Sequence, residues 1–371
     1  MSLEELAEIS RFYGADPEYV IAGGGNTSFK DDDYLYIKAS GTSLAGLGSG
    51  DFVKMDREKL GQIWEKQYPE ESESREAAVL ADMMAARAPG EEKRPSVETL
   101  LHAILPFIYV VHLHPALVNG LTCSREGEKA AAKLFGGRAL WIPSVNPGYV
   151  LSKIVKDAMD AYKAEKGESP EIIFLRNHGV FAAADSAEGI QSLYKRIMAA
   201  IAGAVRRKPD TSGMVNRFAN SELLGEILRA QAEKSREGHW YIWFVRNPEI
   251  TGFIQDEKSF YPLSSAFTPD HIVYAGSEPL FVKEGVALQE VWKERLEKTG
   301  LIPKTVVFQG LGVFGLGNSE KAARTATELF IDALKVAVYS ESFGGPLFMG
   351  EDQIRFINNW EVERYRSNVS A

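Results

Sequence analysis

Residues 105–111, Leu-Pro-Phe-Ile-Tyr-Val-Val, are apolar enough to form a buried strand, and they lead straight into His112-Leu113-His114. Alternate side chains of a strand share a face, so the spacing predicts that His112 and His114 point the same way. A third histidine, His178, follows another apolar run in Arg176-Asn177-His178-Gly179, and the whole chain has only six. Three neutral imidazoles around a divalent ion, with one coordination position left open, make a catalytic site rather than a closed structural one. Unrelated core or surface histidines are the competing reading. Glu98, an acid on a helix upstream, favours the metal.

At 371 residues the chain exceeds what one hydrophobic core usually organises, so two domains are expected, at 1–210 and 211–371. No apolar run has the length of a membrane span, and Met1-Ser2-Leu3-Glu4-Glu5 lacks the basic and apolar regions of a signal peptide, so a cytoplasmic protein with no membrane partner is expected. The single cysteine, Cys123, excludes an internal disulfide and a thiolate-rich zinc site, leaving nitrogen and oxygen as metal donors. A net charge of −9 argues against nucleic acid, which normally meets a basic face. A small anion in a local pocket remains open.

Apolar spacing at Leu3, Leu6, Ile9 and Phe12 predicts a first helix. Tyr19–Ala22 reads as a strand entering a turn at Gly23-Gly24-Gly25-Asn26-Thr27-Ser28, and Tyr34–Ile37 as a second strand ending in Ser40-Gly41-Thr42-Ser43. Ala77–Ala86 looks helical. Pro95-Ser96 opens another helix, capped by Ser96 and buried along Val97, Leu100, Leu101, Ile104 and Leu105. Helices at 126–135, 150–164 and 187–205, with a strand and turn at 140–148 and strands at 172–175 and 180–183, complete a mixed α/β unit.

A faint repeat follows. Val307–Phe314 echoes Phe174–Phe181, and Pro269–Ser277 can be laid over Pro106–His114. On that register Ala275, Ser277 and Leu311 replace the three histidines, and the second half is a degenerate, metal-free copy. Chance likeness between two strand-turn-helix segments is the alternative.

A cation held by three histidines polarises a carbonyl or hydroxyl oxygen, and a neighbouring carboxylate, Glu98, shuttles the proton. As a lone residue, Glu98 is equally an acid favourably placed in a first helical turn. His102, four residues on, reads as a supporting or core residue. The glycine run lacks the Gly-Lys-Ser/Thr ending of a nucleotide P-loop and the dinucleotide fingerprint, so ATP and NAD are poor candidates. Its backbone N–H groups, with Gly25, Asn26 and Thr27, suit a small anion such as phosphate, with Gly41, Thr42 and Ser96 completing the pocket. A tight structural turn is the alternative reading.

Gly24-Gly25-Asn26-Thr27-Ser28, Ser40-Gly41-Thr42, Pro95-Ser96-Val97-Glu98, His112-Leu113-His114 and Asn177-His178-Gly179 occur in the order of the class II aldolase/adducin family, which residues 3–205 resemble. The whole chain is most similar to the aldolase portion of rhamnulose-1-phosphate aldolases fused to a dehydrogenase. The resemblance implies an α/β fold, an α/β/α domain with a central, mostly antiparallel sheet. It further implies zinc or a similar ion on His112, His114 and His178, with Glu98 as acid/base and sometimes fourth ligand. Asn26, Thr42 and Ser96 would lie around a substrate phosphate, and subunits would form a homo-oligomeric ring. The implied reaction is cleavage of a rhamnulose- or fuculose-type ketose 1-phosphate to dihydroxyacetone phosphate and a short aldehyde such as lactaldehyde. A same-fold epimerase, dehydratase or decarboxylase, or an adducin-like scaffold without catalysis, are the alternatives.

Overall fold

The computed structural model describes residues 2–218 and 220–360. The chain divides into two compact units, the first built mainly from Met1–Thr122 and Glu126–Ala204, the second from Cys123–Arg125 and Val205–Asn358.

In the first unit the order is α1 (Leu3–Gly14), β1 (Asn26–Lys30), β2 (Tyr34–Lys38), β3 (Phe52–Asp56), α2 (Arg57–Gln62), α3 (Ser72–Ala85), α4 (Thr99–Ile104), β4 (Tyr109–Leu113), α5 (Ala116–Thr122), α6 (Gly127–Phe135), β5 (Leu140–Ile142), α7 (Tyr149–Lys166), β6 (Ile172–Leu175), β7 (Gly179–Ala184) and α8 (Ala187–Ala204). The seven strands form one sheet in the order β3-β2-β1-β4-β7-β6-β5, antiparallel at every pairing except β5 with β6. Helices cover both faces. Leu100 of α4 packs with Leu35, Ile37, Val53, Val79 and Met83, while Leu101 packs with Val110, Val155, Ile173 and Phe181, so α4 joins two apolar clusters. On the opposite face α8 buries Ile190, Leu193, Ile197 and Ile201 at helical spacing.

Two local expectations change. Residues 19–25 are loop, and the strand lies at Asn26–Lys30, where it bonds to β2 on one side and β4 on the other. A central strand gains ladder partners along both edges, and that outweighs the apolar appeal of Tyr19–Ala22. Ser96 does not cap α4. Residues 96–98 make a turn closed by Thr99 N–H on the Ser96 carbonyl at 3.1 Å, which leaves Glu98 as the residue before the helix.

The second unit runs α9 (Ser221–Ser235), β8 (Tyr241–Val245), α10 (Pro248–Phe253), α11 (Glu257–Phe260), β9 (Leu280–Val282), α12 (Leu288–Thr299), β10 (Thr305–Phe308), β11 (Gly312–Gly317), α13 (Glu320–Ser340) and α14 (Glu351–Asn359). Its sheet has the order β8-β11-β10-β9. Strand for strand this matches β4-β7-β6-β5, down to the single parallel pair, β9 with β10. The proposed register of Pro269–Ser277 on the histidine strand fails, because His271–Ala275 is a π-helical turn. The counterpart of β4 is β8, which pairs with β11 as β4 pairs with β7. Among the described residues no helix is long and apolar enough to cross a membrane.

Candidate metal centre

Register places the first components. Asn26 of β1 lies directly across from His112 of β4, and His112 in turn lies across from Phe181 of β7. Alternation turns Asn26, Ser28, Val110 and His112 to the sheet face that carries α4, while Thr27 turns to the other face. The imidazole of His112 stacks on Phe181, centroids 4.1 Å apart and rings at 14°. Phe181 thereby fixes the ring plane.

His178 arrives from the β6–β7 turn. Asn177 holds a left-handed conformation there (φ 58°), and Gly179 starts β7 so close to β4 that a methyl at its α-carbon would lie 2.5 Å from the Leu113 carbonyl oxygen and 2.7 Å from His114 Cδ2. Only glycine allows that approach. The Nε2 atoms of His114 and His178 lie 2.9 Å and 3.4 Å from Nε2 of His112, and one ligand atom from each of the three falls within 4.8 Å of the others. On its far side His112 donates from Nδ1 to the Val180 carbonyl at 3.0 Å, which leaves a lone pair on Nε2 facing the cluster. Burial and the neighbouring imidazoles hold this histidine well below its ordinary pKa against the pull of Glu98, so the ring is neutral.

Glu98, 6% exposed, completes the group. Its Oε1 stands 3.4 Å from His112 Nε2 and 3.5 Å from His178 Nε2 and, among the described residues, meets no hydrogen-bond donor. Its Oε2 accepts from Asn26 Nδ2 in a short bond. Burial works to raise this carboxyl and the Asn26 amide to lower it, and the histidines lower it further only when one of them carries a proton. Imidazole lone pairs and an orphaned carboxylate oxygen converging on one buried point repel unless a cation joins them. The residues therefore fit a divalent ion with three nitrogen donors and one exchangeable oxygen donor.

The other predicted residues separate into two sets. Ser96 Oγ accepts from Asn26 Nδ2 and from the Glu98 N–H, both at 3.3 Å, and so belongs to the centre. Gly25, left-handed at φ 65°, abuts the His112 carbonyl, where a methyl would sit at 2.8 Å. The turn at Gly41 and Thr42 is drawn toward Ser96 by a bridge between Ala39 and Pro95 and by Ser40 N–H on the Arg94 carbonyl at 2.9 Å. Lys38, a cation close to the glycine run in sequence, ties this turn to it by donating to the Thr42 carbonyl at 2.6 Å and the Gly23 carbonyl at 3.3 Å. Thr27 does not join them. Its hydroxyl bonds Ser10 of α1 at 2.7 Å and is fully buried on the opposite face. Its role as an anion ligand rested on reading Gly23–Ser28 as a turn, and a strand sends it away.

His102 contributes more than its sequence position suggested. It is fully buried between Ser28, at 2.7 Å from Nδ1, and Asn26, whose Oδ1 meets Nε2 in a short bond, and burial lowers its pKa to about 3. The spacing of four from Glu98 was the available signal; what hid the rest was the misplaced β1.

The family model described as the class II aldolase and adducin N-terminal domain matches residues 4–194. An uncharacterized oxidoreductase of Bacillus subtilis (strain 168), YuxG, is 22% identical over 419 residues, covering 99% of this chain and 58% of that protein, so the chain spans less than two thirds of that relative's length. Among solved structures, the N-terminal class II aldolase domain of a conserved protein from Thermoplasma acidophilum is similar at 28% identity and a TM-score of 0.47, over 55% of this chain and 93% of that one. An L-fuculose-1-phosphate aldolase from Thermus thermophilus is similar at 16% identity and a TM-score of 0.33, over 53% and 92%. With the match covering more than half of its length, the chain belongs to the family of class II aldolase and adducin N-terminal domains.

Proposed function

We propose that the first unit is a metal-dependent aldehyde-lyase that cleaves a ketose 1-phosphate, of the rhamnulose or fuculose type, to dihydroxyacetone phosphate and a short aldehyde such as lactaldehyde. The observation that carries this reading is Glu98 Oε1, buried without a donor beside the Nε2 atoms of His112 and His178 in a cluster that His114 completes. A divalent ion, zinc by its donor set, would be held by His112, His114 and His178 and would supply Lewis-acid polarisation of the substrate oxygens. In the cleavage the C4 hydroxyl passes its proton to Glu98, the C3–C4 bond breaks, and its electron pair passes to C3 and the C2 carbonyl oxygen. Glu98 moves the proton that ends on C3. Asn26 holds Oε2, so Oε1 is the working oxygen. Gly25, Gly41, Thr42 and Ser96, brought together by Lys38 and the bridge at Ala39, surround the phosphate, and several such chains form a homo-oligomer.

The test is purified protein assayed for zinc and for aldehyde release from rhamnulose 1-phosphate and fuculose 1-phosphate. His112→Ala is expected to lose metal and activity together. Glu98→Gln should keep the metal and lose about 10²–10⁴-fold in kcat, the usual contribution of a positioned proton carrier. Full activity of the histidine variant in the presence of chelator would overturn the reading, and isomerisation or decarboxylation of the same substrates without cleavage would replace lyase by a sister chemistry.

We also infer that residues 241–340 are a shortened second copy of residues 109–204 that does not take metal. The support is the matching strand order and a set of identical local bonds. Arg176 N–H meets the Ile142 carbonyl and Gln309 N–H the Val282 carbonyl, both at 3.0 Å; Ala183 N–H meets Glu171 O at 2.9 Å and Leu316 N–H meets Lys304 O at 2.8 Å. On this register Phe244, Arg246 and Leu311 stand where His112, His114 and His178 stand. Replacing all three by histidine should add a second zinc equivalent to the full chain. Should that variant fail to fold, Arg246→His with Leu311→His, which leaves the core Phe244 in place, should add a weaker one. A folded variant with no added uptake would refute the register.

A further inference from the structure

One face of β1 carries three polar side chains in succession, Asn26, Ser28 and Lys30, and each grips α4 or its flanks. Asn26 holds Glu98 and His102, Ser28 holds His102, and Lys30 donates to the Leu105 and Phe107 carbonyls at 2.8 Å each. Proton positions along the first part of this ladder follow from what each atom can do. A carboxylate only accepts, so the Asn26 amide donates to Glu98 Oε2. The remaining amide oxygen, Oδ1, also only accepts, so the hydrogen of His102 sits on Nε2. Nδ1 is then a lone pair, and the Ser28 hydroxyl donates to it.

We infer that His102 and Ser28 are positioning residues for Glu98. The chain Ser28 to His102 to Asn26 to Glu98 is polarised in one direction, and its members are buried, at 0%, 0%, 5% and 6% exposure. A flipped Asn26 amide would set oxygen against carboxylate oxygen and nitrogen against the His102 N–H. Both mismatches are buried, so the amide has one orientation, and Glu98 is pinned by Oε2 with Oε1 turned to the histidines. This rests on Glu98 as the proton-moving group of the proposed reaction.

Nitrogen NMR of the zinc-loaded full chain with ¹⁵N-histidine reads the tautomer directly, independent of any substrate. His102 is expected as the Nε2–H form; an Nδ1–H form would overturn the relay. In parallel, His102→Leu should lower kcat about 100-fold with KM and zinc content little changed, the scale of misplacing a catalytic group. His102→Gln, which offers an N–H toward Asn26 and an oxygen toward Ser28, should recover most of that loss, and Ser28→Ala should cost about 3–10-fold. Equal losses for the glutamine and leucine variants would assign His102 to packing alone. If the sugar phosphates are not cleaved while the tautomer is Nε2–H, the relay stands and the lyase reading falls.

Discussion

The hairpins β6–β7 and β10–β11 share a backbone and differ in what fills it. Both turns carry a left-handed residue at the same place, Asn177 at φ 58° and Gly310 at φ 67°, and close with matching bonds, His178 N–H to Leu175 O at 3.2 Å and Leu311 N–H to Phe308 O at 3.0 Å. Both next strands begin with a glycine pressed onto the neighbouring strand. In the first unit the space beside that glycine holds three imidazoles and a carboxylate. In the second, Phe244 lies against Phe314 with centroids 4.8 Å apart, and Arg246 donates to the Gly310 and Leu311 carbonyls at 2.9 and 2.5 Å. One framework is closed in the second unit by a cation of its own and, on the proposed metal site, would be closed in the first by a cation from solution.

If the glycines do the same job, the same substitution should separate structure from chemistry. At Gly179 a methyl meets the Leu113 carbonyl oxygen and His114; at Gly312 it would lie 2.5 Å from the Phe244 ring and 2.9 Å from the Val245 carbonyl oxygen. Each replacement by alanine should destabilise its own unit by about 1–3 kcal/mol, the range for overpacking. Only Gly179→Ala should also spread the imidazoles, lowering zinc affinity and turnover by about 100-fold or more. Zinc titration and kinetics of the two variants side by side decide it. Equal loss of activity from Gly312→Ala would break the comparison.

The two cations give a second, smaller separation. Chelation should expose β6–β7 to hydrogen exchange and leave β10–β11 unchanged. Arg246→Ala should do the reverse, costing about 1.5–3 kcal/mol for each charge-assisted bond lost from the turn. Mass-resolved exchange over residues 172–184 and 305–317 measures both. Both bonds leave from one guanidinium nitrogen, and an ammonium can also donate to two carbonyls, as that of Lys30 does, so Arg246→Lys should recover part of the loss.

Sequence patterning located β2, β6 and β7 and the long helices α7 and α8 closely, because each has a clear period and a punctuating glycine or serine. The histidine strand was legible for the same reason: Tyr109–Leu113 is apolar apart from His112, and alternation alone sets His112 and His114 side by side. Asn26–Lys30 was missed because its residues are polar and follow three glycines, which mimics a turn; its strand character comes from hydrogen bonds to β2 and β4 contributed by distant segments. That one error removed Thr27 from its proper face and concealed the partners of His102. In the second unit the echo of Phe174–Phe181 falls on the hairpin β10–β11, whereas Pro269–Ser277, laid over the histidine strand, is not a strand. The strand that pairs with β11, Tyr-Ile-Trp-Phe-Val, contains no histidine to mark it.

The smallest contrast concerns charge buried for structure in each unit. Lys30 bonds the Leu105 and Phe107 carbonyls, and Lys304 bonds the Val273 carbonyl. Burial lowers Lys30 to about 7, with Arg57 adding to the shift and Asp185 opposing it, and burial lowers Lys304 to about 8. Both start from 10.5 in the unfolded chain. Between folded and unfolded values the unfolded state binds more protons, so stability rises with pH, from about 7 for Lys30 and from about 8 for Lys304, and levels off above 10.5. Within its window each lysine contributes at most about 1.4 kcal/mol per pH unit. Lys30→Met should be less stable at every pH, having left two carbonyls without a donor, yet its denaturant midpoint should rise less between pH 7.5 and 9 than that of the parent. Lys304→Met should show the same flattening, confined to the second unit and starting about one pH unit higher. Slopes equal to the parent's in both variants would mean that neither lysine carries this linkage, and the likeness of the two units would end at their backbones.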